Sequence, residues 1–130
     1  MTSGYLFENF NLNIPENWQV IRSIDLHTGG EPLRVLTHGL PAIKGNTILE
    51  KRRYFRDNLD YIRTGTMFEP RGHADMYGCI LTPPNDQDGD FGVVFLHNEG
   101  YSTMCGHAII GLTTLAIEMQ WIEVTEGDHI

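Results

Sequence analysis

The stretch from Cys105 to Trp121 constrains this chain more than any other. At helical spacing Ile109, Leu112, Ala116 and Met119 share one face, while Ala108, Ile110, Leu115 and Ile117 fill the other side. A helix that is apolar nearly all round belongs inside a structure, with other elements around it. The order of elements supplies such a wrapping. Trp18–Leu26 and Leu33–Thr37 read as two strands of a hairpin, joined by a wide Gly/Pro-marked tip, His27-Thr28-Gly29-Gly30-Glu31-Pro32. A first helix opens at Asn46-Thr47, where Thr47 and Glu50 have capping-box spacing, and Ile48, Phe55, Leu59 and Ile62 follow on one face. Gly65 is its expected stop. Strands at Met76–Leu81 and Phe91–His97 flank the acidic turn Pro83–Asp90. Strand, strand, helix, strand, strand, helix predicts an α+β domain with a largely antiparallel sheet curled around a central helix.

The helix starts at a cysteine. The extended run Phe91–Leu96 gives way through Asn98-Glu99-Gly100 to Met104-Cys105-Gly106-His107, which puts a thiol at a helix N-terminus. Free amides and the positive end of the helix dipole favour thiolate there and attract anions. A thiolate beside such a nest can take a proton from the α-carbon of a bound carboxylic acid. The plain alternative is a small buried hydrophobe, the ordinary fate of an intracellular cysteine. The Gly-Tyr-Ser-Thr lead-in and the following Gly-His favour chemistry.

Composition excludes several classes. At 130 residues one core is the default, and 41% hydrophobic with 20% charged residues describes a globular protein. A formal charge of −8 argues against a nucleic-acid partner. The basic cluster Lys51-Arg52-Arg53 with Arg56 reads as a solvated helix face. No apolar run approaches the ~20 residues of a membrane span, so no membrane is expected. The N-terminus lacks a secretory pattern, and two cysteines, Cys79 and Cys105, suit a reducing compartment, so cytoplasm is the expected address. Met1–Asn17 reads as a loosely docked leader (1–17) to a domain over 18–130, and the polar turn Thr125–Asp128 closes the chain with no further element.

Most of the six histidines can be set aside. His38 and His129 sit in polar turns, and His97 at a strand end suits packing or a backbone hydrogen bond. No His pair has metal-site spacing and no Gly-rich nucleotide loop occurs, so neither metal nor cofactor is expected. What remains is Cys105 with Gly106 and His107, plus two loops, His27–Pro32 and Glu69–Asp75, each combining glycine, histidine and charge.

Three stretches carry a resemblance. Asp25-Leu26-His27-Thr28-Gly29-Gly30-Glu31-Pro32, then Glu69-Pro70-Arg71-Gly72-His73-Ala74-Asp75-Met76-Tyr77-Gly78, then Asn98-Glu99-Gly100-Tyr101-Ser102-Thr103-Met104-Cys105-Gly106-His107 resemble successive motifs of the proline racemase family. The match runs in order from about Ile21 to Met119. The resemblance implies a fold like diaminopimelate epimerase: two similar domains, each a sheet curled on a central helix, with the site in the cleft between. It groups proline racemases, 4-hydroxyproline 2-epimerases and trans-3-hydroxy-L-proline dehydratases, and the wording of the second and third motifs is most similar to the dehydratases.

The resemblance implies a small imino acid as substrate. Cys105 would be the catalytic base, and the amides of Gly106 and His107 would bind the substrate carboxylate. The position that separates the subgroups, cysteine in racemases and epimerases but threonine in dehydratases, lies in the second domain. The chain is therefore expected to be the N-terminal part of such an enzyme, inactive alone, with a homodimer of the full-length enzyme left open. A reading of another class also stands: a catalytically dead half-enzyme acting as a binding module, with apolar sheet and helix surface exposed.

Overall fold

The computed structural model describes residues 13–124. Eight elements follow in order: β1 Arg22–Thr28, β2 Glu31–His38, α1 Ile48–Asn58, α2 Asp60–Met67, β3 Tyr77–Thr82, β4 Gly92–His97, β5 Gly100–Ser102 and α3 Gly106–Glu118. The strands form one sheet in the order β1-β2-β3-β4-β5, antiparallel except for the parallel pair β2–β3. That pair needs a crossover, which α1 and α2 supply. The architecture is α+β with a mostly antiparallel sheet, as expected.

Alternation along the strands sorts residues between two cores. Leu36, Ile80, Val94 and Leu96 face α1 and α2, where Phe55, Leu59, Ile62 and Met67 cover them. Leu33, Val35, Cys79 and Phe95 face the other way, against Ala108, Leu112 and Leu115 of α3. Both faces are buried, which is why the central strands read as near-continuous apolar runs.

Several expectations change on contact with the tertiary fold. The hairpin tip is tight, not wide: Thr28 pairs with Glu31, and Gly29 and Gly30 turn the chain alone, both at positive φ (59° and 93°). The first helix is two helices. α1 begins at Thr47 with the complete capping box, but Leu59 leaves helical geometry at φ −126°, ψ 15° and starts α2, inside which Gly65 sits. The break turns Leu59 and Ile62 onto the same core as Phe55. β5 arises where only a loop was expected, through pairing of Phe95 with Ser102 and Leu96 with Tyr101.

The sheet is open and covers α3 on one side. Gly111 permits the close approach: a Cβ there would stand 2.5 Å from Leu26 Cδ1. The outer flank carries exposed Ile110 (59%), Met119 (49%) and Ile117 (42%). The helix is thus apolar on both sides while the described residues bury one. The leader lies largely, and Thr125–Asp128 and His129 wholly, outside the described residues. No described helix is long and apolar enough to cross a membrane.

Candidate active site

β5 runs straight into the start of α3, so the short strand fixes where the helix begins. Ser102 braces the corner: its hydroxyl donates to the Met104 carbonyl (2.7 Å) and accepts from the Met104 amide (3.3 Å). Cys105 follows as N-cap in extended geometry, and its carbonyl accepts the first helical bond from Ile109 (3.0 Å). No side chain caps the helix. The first-turn amides of Gly106, His107 and Ala108 are therefore left for solvent or an anion, at the positive end of a 13-residue helix.

The Cys105 side chain turns to its neighbour instead. Sγ lies 3.2 Å from His107 Nδ1, and His107 Nε2 lies 3.2 Å from the Pro32 carbonyl. A carbonyl only accepts, so Nε2 carries the proton. Nδ1 of the neutral ring is then free to accept from the thiol, and in the imidazolium form it donates to a thiolate. The same residue is held from its backbone, since the Thr28 hydroxyl donates to the His107 carbonyl (2.9 Å). The hairpin tip thus grips the first turn of α3 from two sides.

Tyr77 completes the cluster. On the α3 face of β3, it stacks on His97 (5.6 Å between ring centres, 24°), tilts against Phe95 (6.0 Å) and meets His107 edge-on (5.4 Å, 69°). Burial raises its phenol above the usual range. It stays a protonated donor. Cys79, two residues on and fully buried, has its thiol pushed up to about 12 by burial first and then by the Cys105 charge. Of the two free thiols only Cys105 is partly accessible.

Cys105, Gly106 and His107 meet at the first turn of α3, where His107 presents its ring as well as its amide. The first loop reaches the site through Thr28 and Pro32. The polar contacts of the second run elsewhere. Asn98 Nδ2 donates to the His73 carbonyl, and Arg34 to the Arg71 carbonyl (2.8 Å). Arg71 also lines a cleft of about 820 Å³ beside Trp18, Arg34 and Tyr61, apart from the thiol. Sequence reasoning missed Tyr77 and Thr28, although period-two alternation already puts Tyr77 on one face with Cys79. His97 keeps the structural part expected of it: its Nδ1 accepts from the Glu99 amide (3.1 Å) while its ring stacks. Among the described residues no three His, Cys, Asp or Glu side chains converge as a metal site would require.

A half-accessible thiol, an imidazole within hydrogen-bond reach and uncapped helix amides can together hold a carboxylate and take a proton beside it. A family model described as proline racemase matches residues 23–130. A trans-3-hydroxy-L-proline dehydratase of Bacillus cereus is 56% identical over 107 residues, covering 82% of this chain and 32% of the relative. A 3-hydroxyproline 2-epimerase of Burkholderia multivorans is 50% identical over 105 residues, covering 81% and 31%. The solved structure of a hydroxyproline epimerase from Agrobacterium vitis, with bound trans-4-hydroxy-L-proline, superposes at a TM-score of 0.73 and 25% identity, covering 84% of this chain and 32% of that one. The chain spans about a third of the length of these relatives. Since the family match takes in both loops and the thiol-bearing helix start, the chain belongs to the proline racemase family.

Proposed function

We propose that this chain is the thiol-bearing part of a trans-3-hydroxy-L-proline dehydratase. The observation that carries the reading is Cys105 Sγ at 3.2 Å from His107 Nδ1, at the mouth of an uncapped helix. The substrate carboxylate binds the amides of Gly106 and His107. Cys105, as thiolate, takes the α-proton and becomes a thiol. The electron pair left at the α-carbon forms the double bond to C3 as the hydroxyl departs with a proton as water. The resulting enamine tautomerises to 1-pyrroline-2-carboxylate. An α-proton beside a carboxylate is very weakly acidic, so aligned amides and exclusion of water must provide most of the rate. No cofactor enters this scheme.

In the trans isomer the α-proton and the 3-hydroxyl lie on the same ring face, so the proton for the departing hydroxyl comes from the Cys105 side, while the opposite face of the substrate must be closed against water. One thiol with one set of amides is therefore insufficient, and the 130-residue chain alone is expected to turn nothing over. The identity of 56% to a dehydratase supports the dehydratase reading. The epimerase relative, at 50%, favours a second reading in which a second group reprotonates the α-carbon from the opposite face, as an epimerase or racemase requires. A catalytically dead binding module is the remaining outcome.

The test is an assay of the complete polypeptide encoded by the gene, with trans-3-hydroxy-L-proline, trans-4-hydroxy-L-proline and L-proline supplied separately in deuterated water. NMR should detect 1-pyrroline-2-carboxylate from the first substrate alone, and Cys105→Ser should abolish it, because a hydroxyl is far too weak an acid to serve as base near neutral pH. Inversion at the α-carbon without dehydration would favour the epimerase. Full activity in the serine variant would remove Cys105 from the mechanism, and no activity on any substrate would favour the binding module.

A further inference from the structure

One residue in the first turn of α3 is held twice by one short piece of chain. The Thr28 hydroxyl donates to the His107 carbonyl (2.9 Å), and the Pro32 carbonyl accepts from His107 Nε2 (3.2 Å). Only Gly29, Gly30 and Glu31 separate the two contacts, so the tight tip of the β1–β2 hairpin fixes their spacing. The helix needs neither contact to satisfy its own backbone. A helical carbonyl at position 107 has the Gly111 amide, one turn on, as its partner, and its second lone pair is left for another donor. Thr28 is half-buried and could give its hydroxyl proton to water. Strand alternation and a missing side chain bring it to the helix instead. Leu26 and Thr28 share the β1 face turned to α3, and a Cβ on Gly111 would stand 2.5 Å from Leu26 Cδ1 and 3.2 Å from Thr28 Oγ1.

We propose that Thr28 is a positioning residue of the site. By holding the His107 backbone against the hairpin tip, it keeps the ring's Nε2–H on the Pro32 carbonyl, which fixes the tautomer and leaves a bare Nδ1 facing Cys105 Sγ. The inference rests on the reading of Cys105 as the proton-abstracting thiolate. A neutral imidazole carries its proton on either nitrogen, and the partner of one nitrogen decides which. With Nε2–H on a carbonyl, Nδ1 at 3.2 Å from the sulfur can only accept, so it draws on the thiol proton. With the proton on Nδ1, the neutral ring could not take it. The margin is narrow, because 3.2 Å is already the long end of the N–H···O range and a drift of about half an ångström breaks the bond. Tyr77 packs against the imidazole (5.4 Å between ring centres) and limits its rotation. The seat of the turn, which Thr28 sets, therefore decides whether the ring reaches Pro32.

The experiment uses the complete polypeptide encoded by the gene, its Thr28→Val variant, which keeps the shape and loses the hydroxyl, and Thr28→Ser, which restores it. Long-range ¹H–¹⁵N spectra at about pH 8, above the ordinary histidine range, report the His107 tautomer. They are taken in a Cys105→Ser background, which removes the titration of the thiol, and the His107 signals are identified by their loss in His107→Gln. With Thr28 intact the proton should sit on Nε2. Thr28→Val should show Nδ1–H or a mixture of the two forms, and Thr28→Ser should show the parent pattern. With Cys105 present, its alkylation by iodoacetamide at the same pH, mapped by peptide mass, should slow about three- to tenfold in Thr28→Val, the effect of losing one hydrogen bond, and recover in Thr28→Ser. A threonine that only stabilises the fold would lower the melting temperature and leave the tautomer and the alkylation rate of the folded protein unchanged. An unchanged tautomer in Thr28→Val, or an alkylation rate within about 1.5-fold of the parent, overturns the inference. So does Nδ1–H at His107 with Thr28 intact, a result that needs no Thr28 variant to fold. Alkylation of Cys79 ahead of Cys105 in the unaltered protein would instead overturn the proposed function, so the two failures are distinct.

Discussion

Replacing Tyr101 with phenylalanine isolates a single bond that ties the thiol-bearing segment to the helical layer. The Tyr101 hydroxyl donates to Asp60 Oδ1 at 2.6 Å, and Asp60 also receives Nε and Nη2 of Arg63. Arg63 Nη1 in turn donates to the carbonyls of His97 and Asn98, the turn between β4 and β5. Phenylalanine keeps the edge-on contact with Phe55 (6.1 Å) and removes only the hydroxyl. A bond to a charged acceptor contributes about 1.5–3 kcal/mol when buried. The Asp60 side chain is 37% exposed, so solvent screening reduces the expected loss to roughly 1–2 kcal/mol.

The loss should depend on pH, with a definite sign. The bond from Arg63 is the main cause that holds the Asp60 carboxyl below its ordinary range; burial opposes it, and the Tyr101 bond, a smaller effect than burial, adds to the lowering. A carboxyl with a lowered folded value contributes stability above its unfolded value of about 3.9, and that contribution is lost as pH falls through the folded value. Urea unfolding followed by tryptophan fluorescence should therefore show the full Tyr101→Phe deficit near neutral pH. The deficit should shrink in strong acid, where Asp60 is protonated in both states. An equal deficit at both pH values, or one below about 0.3 kcal/mol at neutral pH, would refute the assignment of the bond.

Two further outcomes follow from groups outside this network. Cys79, raised to about 12 in the fold against about 8.5 in an unfolded chain, gives stability that is complete below about pH 8.5 and is lost as pH rises toward 12. Urea midpoints should fall across that window in the parent and lose that slope in Cys79→Ala, a parallel decline in both chains excluding the buried thiol as its source. Gly72→Ala should destabilise by roughly 2 kcal/mol or more in thermal melts, because a Cβ there would overlap the Met67 backbone, which cannot swing away as a side chain can. A melt within about 0.5 kcal/mol of the parent would show the loop free to shift.

The features legible in the sequence are those whose cause is local. The Thr47–Glu50 box starts α1 because both partners lie within one turn. The helix after Cys105 follows from composition and spacing, and Tyr77, Cys79 and Leu81 share a face because strand side chains alternate. Cys105 itself was legible, since N-cap position and helix-start amides are properties of consecutive residues.

Tertiary structure decided what depends on distant partners. No glycine or proline marks the break at Leu59; burial of Phe55, Leu59 and Ile62 on one core sets it. Three residues became β5 only because β4 offered an unpaired edge. Tyr77, His97 and His107 are far apart in the chain, and nothing in the pattern of any one segment places their rings together. The β3–β4 register sets the first pair, and the seating of α3 against β1, where Gly111 lets it approach Leu26, brings in the third. The thiol's place at a helix start could be read from one turn of chain, whereas its surroundings required a sheet, because pairing register and helix docking are energies shared between segments and stored in neither.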